Sequence, residues 1–554
     1  MLNLSMIWQV TRINLSTPSS RHRSTLMCTN GIVASEHPLA SEEGVNVLRK
    51  GGNAVDAAVT VNSILNVVDP GSCGMGGDVF YLIYIKDDGK VTFLNGSGRA
   101  AENATIDLYE EKGLKSIPSR GPLSAITVPG CVDGWSSILK KYGSTSFREL
   151  LQPAIRYAEQ GFPISHTLSK LIKLVADKHS IHPGWKKIFL PQGRALEPGE
   201  ILVQKDLADS FRAVAEGGRE AFYNGIIAEN IARFLGDQGG LITMKDFEGH
   251  SSVWNEPVKT NYHDYTVYET APNSQALTTL IALNILEDIN ISSLGYQSLE
   301  HLHLMIEASK IAYAARDRYI GDPEFIDIPV DKLVSKEYAM EKMELIKMDS
   351  SLRHHQIPNN FPLTGDGDTT YFAVVDKEGN CVSCIQSLYG SFGSGMVAEG
   401  TGIVLQNRGS YFSLDRSHHN QLGPRKRTFH TLCASMVLKD NEPFLIFGSM
   451  GGDIQPQIHL QVFSAVIDFN IDIQEAIESP RWSMPKTIYS SDDRVILEGR
   501  FPNAIVDKLK DKGHDVIRGP DYSWSSGFAQ GVVIKDGVLL GGADPRGDGA
   551  AIGY

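Results

Sequence analysis

Apolar positions between residues 36 and 70 recur at helical spacing in two blocks. "HPLASEEGVNVLRK" runs into Gly51-Gly52, a stop signal, and Asn53 is placed to cap "AVDAAVTVNSILNVV", which Pro70 closes. The pattern then changes. The glycine-rich "GSCGMGG" leads into "DVFYLIYI", which predicts a tight turn followed by a strand over residues 80–85. That turn lacks the lysine and hydroxyl residue of a phosphate-binding loop and opens no helix, so it reads as structural. Helical spacing returns in "VPGCVDGWSSILKKYG", in "SFRELLQPAIRYAEQGFPIS" and in "SLEHLHLMIEASKIAYAARDRY", where Leu299, Leu302, Met305, Ile306 and Ala312 share a face. Residues 345–368 are polar and weakly periodic, as expected of a long loop. Two strand-like runs follow, 370–376 and 381–388, joined by the hairpin signal "KEGN". Helices then strands, twice over, suggest layered sheets covered by helices.

Polar groups on this framework first suggest ordinary roles. His301 and His303 are two apart, so on a helix they point away from each other and do not form a metal pair. The doublets His354-His355 and His418-His419, and the run Arg425-Lys426-Arg427, are expected to be solvated. Cys381 and Cys384 have CxxC spacing but lie within a strand pattern, which favours packing over redox or metal chemistry.

A net charge of −13 argues against nucleic acid, whose phosphates demand a basic surface. Nothing approaches the apolar run of a membrane-spanning helix. Six cysteines are too sparse for a disulfide framework in 554 residues. With no secretory signal read at the N-terminus, a cytoplasmic home is expected. Residues 1–29 read as a disordered extension, with Met27 an alternative start.

The chemistry concentrates at "GDGDTTYFAVVDKEGNCVSC", residues 365–384. A threonine hydroxyl is a weak nucleophile, but a threonine at a chain N-terminus carries its own base. The α-amine has a reference pKa of about 7.7–8.0 and can take the hydroxyl proton. Thr369 is internal, so the bond after Asp368 must break first. The same hydroxyl can attack the preceding carbonyl to give an ester that water cleaves. A bland alternative remains, in which Thr369 merely begins a strand.

Taken together, "GGNAVDAAV", "GMGGDVF", "VPGCVDGW", "LLQPAIRYAEQGFPIS", "ARDRYIGDP", "DTTYFAVVDKEGNCVS", "GSFGSGMV" and "GSMGGDIQPQ" resemble the γ-glutamyltransferase family of self-cleaving N-terminal-nucleophile hydrolases. The resemblance runs from about residue 30 to the C-terminus. It implies a four-layer αββα sandwich, made as one proenzyme and cut between Asp368 and Thr369 into a large part, 30–368 plus the extension, and a small part, 369–554. It implies Thr369 as nucleophile, Ser387 as a hydroxyl bonded to it, and Gly451 and Gly452 as the pair whose N–H groups receive the oxyanion. Glycines allow such close backbone approach, and fixed N–H donors stabilise charge as it develops. No metal or organic cofactor is implied. The expected partners are a small-molecule amide and the two parts of one precursor, with a homodimer of the processed pair left open.

The chain also departs from the family pattern. An ungapped match puts Ser97 where the family holds the donor carboxylate with arginine, and Arg99 lies two residues later. Tyr389, Arg408 and Tyr411 replace amide and acidic residues, and His430-Thr431 replaces a serine pair. A group to pair an α-ammonium is missing and a cation is added, so the pocket should favour an anion without one. His430 and the two tyrosines are then candidates to hydrogen-bond a polar substrate. The stretch from Ser413 to His430 is shorter than in members with a pocket lid, which favours hydrolysis over transfer. The pattern looks like the branch of acylases and small-amide hydrolases such as oxamate amidohydrolase. The rivals are a true γ-glutamyl transferase acting on glutathione and a binding or scaffold protein that never matures.

If Thr369 is the nucleophile of self-cleavage, the purified chain should split into pieces of about two-thirds and one-third of its 60.7 kDa. N-terminal sequencing should start the smaller piece at Thr369, and Thr369→Ala should stay whole by intact mass.

Overall fold

The computed structural model describes residues 22–176, 182–352, 367–485 and 494–554. Two antiparallel seven-stranded sheets face each other. One runs, edge to edge, through Ala550–Gly553, Ile32–Ser35, Gly367–Val375, Cys381–Gly390, Asp78–Ile85, Lys90–Gly96 and Val253–Asn255. The other runs through Leu26–Cys28, Val538–Ala543, Ala529–Lys535, Glu442–Ser449, Ala434–Lys439, Tyr265–Glu269 and Val258–Tyr262. Helices cover both outer faces, which gives the expected αββα layering. Residues on either side of Asp368 contribute strands to both sheets, so the chain folds as one unit across that bond.

The adjacent strands Gly367–Val375 and Cys381–Gly390 send apolar side chains to both sides because both faces of the sheet are covered there. Phe372, Val374, Val382 and Cys384 face the helix layer that includes Ala54–Val68. Tyr371, Ala373, Val375, Cys381 and Ile385 face the second sheet. Tyr371 also fixes the spacing between the sheets, since its ring lies over Gly448, where a Cβ would come within 2.3 Å. Asn53 and Asp56 form a capping box at the start of the helix Ala54–Val68, as the sequence suggests.

Several expectations need correction. The strand 80–85 begins earlier, at Asp78, and the hairpin strand begins at Gly367 instead of residue 370. Gly367 pairs with Gly390 and Asp368 with Tyr389, so the Asp368–Thr369 bond lies inside a strand and not in a loop before it. The helix over "SFRELLQPAIRYAEQ" breaks at Leu151 into Phe147–Leu150 and Gln152–Gln160, with a proline in the first turn of the second. The N-terminal extension is shorter than expected. Leu26–Cys28 pairs with Val538–Ala543, and the Arg23 amide donates to Glu478. Residues 1–21, 177–181, 353–366 (the centre of the long loop, with His354-His355) and 486–493 lie outside the described residues.

Lys426 and Arg427 are not solvated. Lys426 donates to the carbonyls of His419 and Gln421, and Arg427 pairs with Glu324. His418 is buried and stacks on His419, and burial lowers their pKa values to about 4 and about 3. His301 and His303 do point apart, but His303 meets His514 at 2.8 Å, a pairing that no local spacing could reveal.

The glycine-rich turn is structural, as read. A Cβ on Gly76 would come within 2.0 Å of the Val404 carbonyl, and one on Gly77 within 2.4 Å of the Ser387 carbonyl. Gly76→Ala should therefore lower the stability of the chain by about 2–3 kcal/mol, read as a shifted urea midpoint at unchanged slope.

Candidate active site

Thr369 sits at an irregularity in the ladder. Asp368 pairs with Tyr389 and Thr370 with Gln386, so Ser387 and Leu388 stand opposite the single Thr369. Such a bulge re-aims a side chain while the strands on either side stay paired. Here it brings the Ser387 hydroxyl between two reacting groups. Thr369 Oγ1 donates to Ser387 Oγ at 3.3 Å, and Ser387 Oγ donates to the Asp368 carbonyl oxygen at 2.6 Å. The Thr369 hydroxyl, the Ser387 hydroxyl and the Asp368 carbonyl are thus linked in one chain of hydrogen bonds. Just beyond the bulge, Tyr389 has φ +77, an uncommon conformation for a residue with a Cβ, and its amide donates to Ser387 Oγ at 2.7 Å.

Arg408 approaches the same hydroxyl from a short 3₁₀ turn, Arg408–Tyr411. Its Nη2 is 3.4 Å from Ser387 Oγ, and its Nη1 donates to Thr431 Oγ1 at 3.0 Å. The guanidinium lies over the Tyr389 ring, 4.3 Å from its centre, and Tyr411 packs edge-on against that ring. Arg408 is only 1% exposed, yet no carboxylate pairs with it among the described residues, and its Nε has no partner there. Burial pulls its pKa below the ordinary value.

Gly451 and Gly452 follow the strand Glu442–Ser449. Their φ values, +143 and +56, lie in the region that favours glycine. The turn packs against the Gly367–Val375 strand, and neither glycine N–H has an acceptor among the described residues. Two residues that the sequence reading did not single out hold this turn. Gln275 donates to Gly452 O at 2.9 Å and to Thr431 O at 3.0 Å. Arg316 donates to Gln275 Oε1 at 2.8 Å and to Asp453 Oδ1 at 3.0 Å. The glycine turn, Thr431, Arg408 and Ser387 are therefore one connected polar network. Arg316 and Asp453 fall within quoted motifs, "ARDRYIGDP" and "GSMGGD", but their pairing is long-range and leaves no local signal.

The other candidates divide. Tyr411 donates its hydroxyl to Asp453 at 2.6 Å, so it braces the turn. His430, expected to bond a polar substrate, is bonded within the protein. Its Nε2 donates to Asp78 at 3.1 Å and its Nδ1 accepts from the Leu432 amide, so both ring nitrogens are committed. Burial, with help from Arg408, lowers its pKa to about 4, which leaves the ring neutral at cellular pH. Asp78, directly across from Ser387, also accepts from Gly98 N and Gln406 Nε2. Arg99 pairs with Glu324 and donates to the Arg425 carbonyl, and no contact brings it to Thr369.

In the intact chain this site is closed: Thr369 is 1% exposed. A hydroxyl held against its own preceding carbonyl, with a hydrogen-bond donor on the carbonyl oxygen, can perform intramolecular attack. Once an amine is freed at Thr369, the same elements suit attack on an external amide.

Comparison with known proteins agrees with this chemistry. The sequence model of the gamma-glutamyltranspeptidase family matches residues 40–554. The chain is 45% identical to the glutathione hydrolase-like YwrD proenzyme of Bacillus subtilis, over 95% of this chain and 98% of that one. It is 36% identical to the oxamate amidohydrolase proenzyme of Klebsiella pneumoniae, over 96% and 100%. Among solved structures, the cephalosporin acylase from Bacillus halodurans superposes with a TM-score of 0.89 at 37% identity, covering 98% of each chain.

Ser387→Ala removes the donor on the scissile carbonyl and the acceptor of the Thr369 proton. Self-cleavage, followed by intact mass over time, should slow by at least about 100-fold.

Proposed function

The chain belongs to the gamma-glutamyltranspeptidase family and is an amide-cleaving enzyme of its self-processing kind, and from that premise we propose that it matures by cutting before Thr369 and then hydrolyses small anionic amides. In this reading the new α-amine of Thr369 is the base and its hydroxyl attacks the substrate carbonyl. Gly451 and Gly452 donate to the oxyanion. An amine leaves, and water resolves the acyl-enzyme.

One observation carries the substrate class: the buried Arg408 guanidinium without a carboxylate partner. A buried charge is costly unless paired, and a substrate carboxylate would pair it bidentately. Among the described residues no carboxylate is hydrogen-bonded to Arg408, and the nearby acids Asp78 and Asp453 are engaged by His430, Gln406, Arg316 and Tyr411, which disfavours an α-ammonium and with it γ-glutamyl donors. Arg99, the alternative anchor for such donors, is committed to Glu324. The names of the relatives, an oxamate amidohydrolase and acylases, fit an acyl group that carries an anion and lacks an α-amine. The segment between Ser413 and His430 is tied down by Asn420, which bonds the Tyr411 carbonyl and the Phe429 amide. A tethered segment is a poor lid, so water should reach the acyl-enzyme and hydrolysis should exceed transfer.

The test is a panel of amides, among them oxamate, glutaryl amides and γ-glutamyl anilides, assayed per mole of cleaved small fragment. The anionic amides without an α-amine should be preferred, and Arg408→Gln should reduce their kcat/KM by about 10- to 100-fold, the loss of one charge-assisted contact. A mature wild type that prefers γ-glutamyl anilides, and is competed by free glutamate, would overturn the substrate assignment.

A further inference from the structure

Asp368 does more than precede the cut. Its carboxylate Oδ1 accepts from the amide nitrogen of Thr369 at 3.1 Å, the atom that must become the leaving amine. Ser391 Oγ donates to Oδ2 at 3.0 Å. Ser72 Oγ lies 3.1 Å from Asp368 Oδ1 and 2.9 Å from Asp69 Oδ1. A serine hydroxyl has one proton to give, and an ionised carboxylate can only accept. Ser72 therefore cannot satisfy two carboxylates at once, and one of the pair holds a proton. Asp368 already receives the Thr369 amide and the Ser391 hydroxyl, so the proton belongs on Asp69, pointing at Ser72. Asp69, Ser72, Asp368 and the Thr369 nitrogen then form one continuous file of hydrogen bonds.

We propose that the Asp368 carboxyl is the acid that protonates the Thr369 nitrogen during self-cleavage, and that Asp69 recharges it through the Ser72 hydroxyl. This rests on the reading of Thr369 as the nucleophile. Thr369 Oγ1 bonds to the Asp368 carbonyl carbon while its proton passes to Ser387, whose own proton goes to the carbonyl oxygen. The nitrogen pyramidalises and turns its lone pair toward Asp368. The C–N bond then breaks with its electron pair on nitrogen, which takes a proton from the Asp368 carboxyl as the Asp69 proton passes to Asp368 through the Ser72 hydroxyl. The proton released as the carbonyl re-forms restores the carboxyl pair. One C–N bond is exchanged for one C–O bond, and the proton count is unchanged. Water then hydrolyses the ester to the Asp368 α-carboxylate and the free Thr369 hydroxyl.

The surroundings favour a stored proton. Glu36, His37, Asp69, Ser72, Asp368 and Asp548 line a cavity of about 20 Å³, room for about one water molecule. The ionisable groups that face Asp69 and Asp368 there are Glu36, His37 and Asp548, with Asp544 close to Glu36. All but His37 are acids, and burial lowers the His37 pKa to about 4, so it brings no cation at neutral pH. Burial and the neighbouring acids raise the Asp69 pKa well above the ordinary carboxyl range. An acid so raised is charged with its proton below its folded pKa and loses it as pH rises through that value.

The experiment follows conversion of the full chain into two fragments by intact mass, as a function of pH, in the wild type, Asp69→Asn and Ser72→Ala. Wild-type cleavage should slow on the alkaline side. Asp69→Asn and Ser72→Ala should each cleave about 100-fold more slowly at neutral pH, the usual worth of a positioned acid. In Asp69→Asn the alkaline fall should vanish, and Asp69→Glu should restore part of the rate. A purely structural role for Asp69 would lower the yield of folded chain without changing the pH profile of what folds. Near-ultraviolet circular dichroism against Thr369→Ala identifies the folded fraction, and Ser72→Ala decides if Asp69→Asn does not fold. Wild-type rate and profile in a folded variant would overturn the relay. A wild type not cut before Thr369 would instead overturn the nucleophile assignment on which it rests.

Discussion

The Ser387 hydroxyl can bond the Asp368 carbonyl and the Thr369 hydroxyl together only because the ladder slips at that point. In regular pairing one residue would face Thr369 and its side chain would follow the pleat. With two residues opposite one, Ser387 reaches both groups while keeping its pairing with Asp78 on its other side. The bulge survives because its surroundings are over-determined. Gly77 lets the Ser387 backbone approach closely, Tyr389 takes an unusual φ, and the Asn407 side chain receives the Gly390 amide. Local irregularity is thus held by strong tertiary constraint, as expected where backbone strain serves chemistry.

The same hydroxyl links two electrostatic halves. On one side lie Arg408, Thr431, Gln275 and Arg316, a network reaching the Gly451-Gly452 turn in which Asp317 and Asp453 pair Arg316 and Arg408 is the cation without a bonded carboxylate among the described residues. On the other lie Asp368, Ser72, Asp69 and Glu36, an acidic cluster. Cleavage at Asp368–Thr369 would take place on the line between them. The carbonyl oxygen would take its proton from Ser387, whose hydroxyl Arg408 approaches. Protons would be drawn from the acidic side, at the nitrogen. That polarity comes from groups far apart in sequence and fixed by the two sheets.

Much of this was legible in the sequence, and the reason differs by element. The capped helix Ala54–Val68, the long helix Leu299–Tyr319 and the hairpin around "KEGN" are local objects, set by caps, periodicity and turn residues, and they stand as read. Thr369, Ser387 and the glycine pair were singled out because contiguous motifs surround them, and the fold brings Thr369 and Ser387 into contact. The failures are all questions of environment. His430 and Tyr411 were read as substrate contacts, and no local signal showed that Asp78 and Asp453, far away in the chain, would bond them. Arg425-Lys426-Arg427 looked like a solvated run, yet two of the three side chains are buried because backbone carbonyls and Glu324 receive them. Charge patterns predict exposure only where no folded partner stands opposite.

Arg408 shows how specificity can follow from a cost left unmet. Burying a guanidinium without a carboxylate weakens the free site, and only a ligand that brings the missing charge recovers that loss. A neutral amide of the same shape gains nothing from the guanidinium. An α-ammonium would be repelled by it, and the nearest acids, Asp78 and Asp453, already receive other donors. Discrimination in such a site comes as much from the unpaired state it imposes on wrong substrates as from contacts made with the right one. The substitutions at Tyr389, Arg408 and Tyr411 then form one unit. The Tyr389 ring and the Thr431 hydroxyl hold the Arg408 cation in place, and Tyr411 braces the Tyr389 ring edge-on.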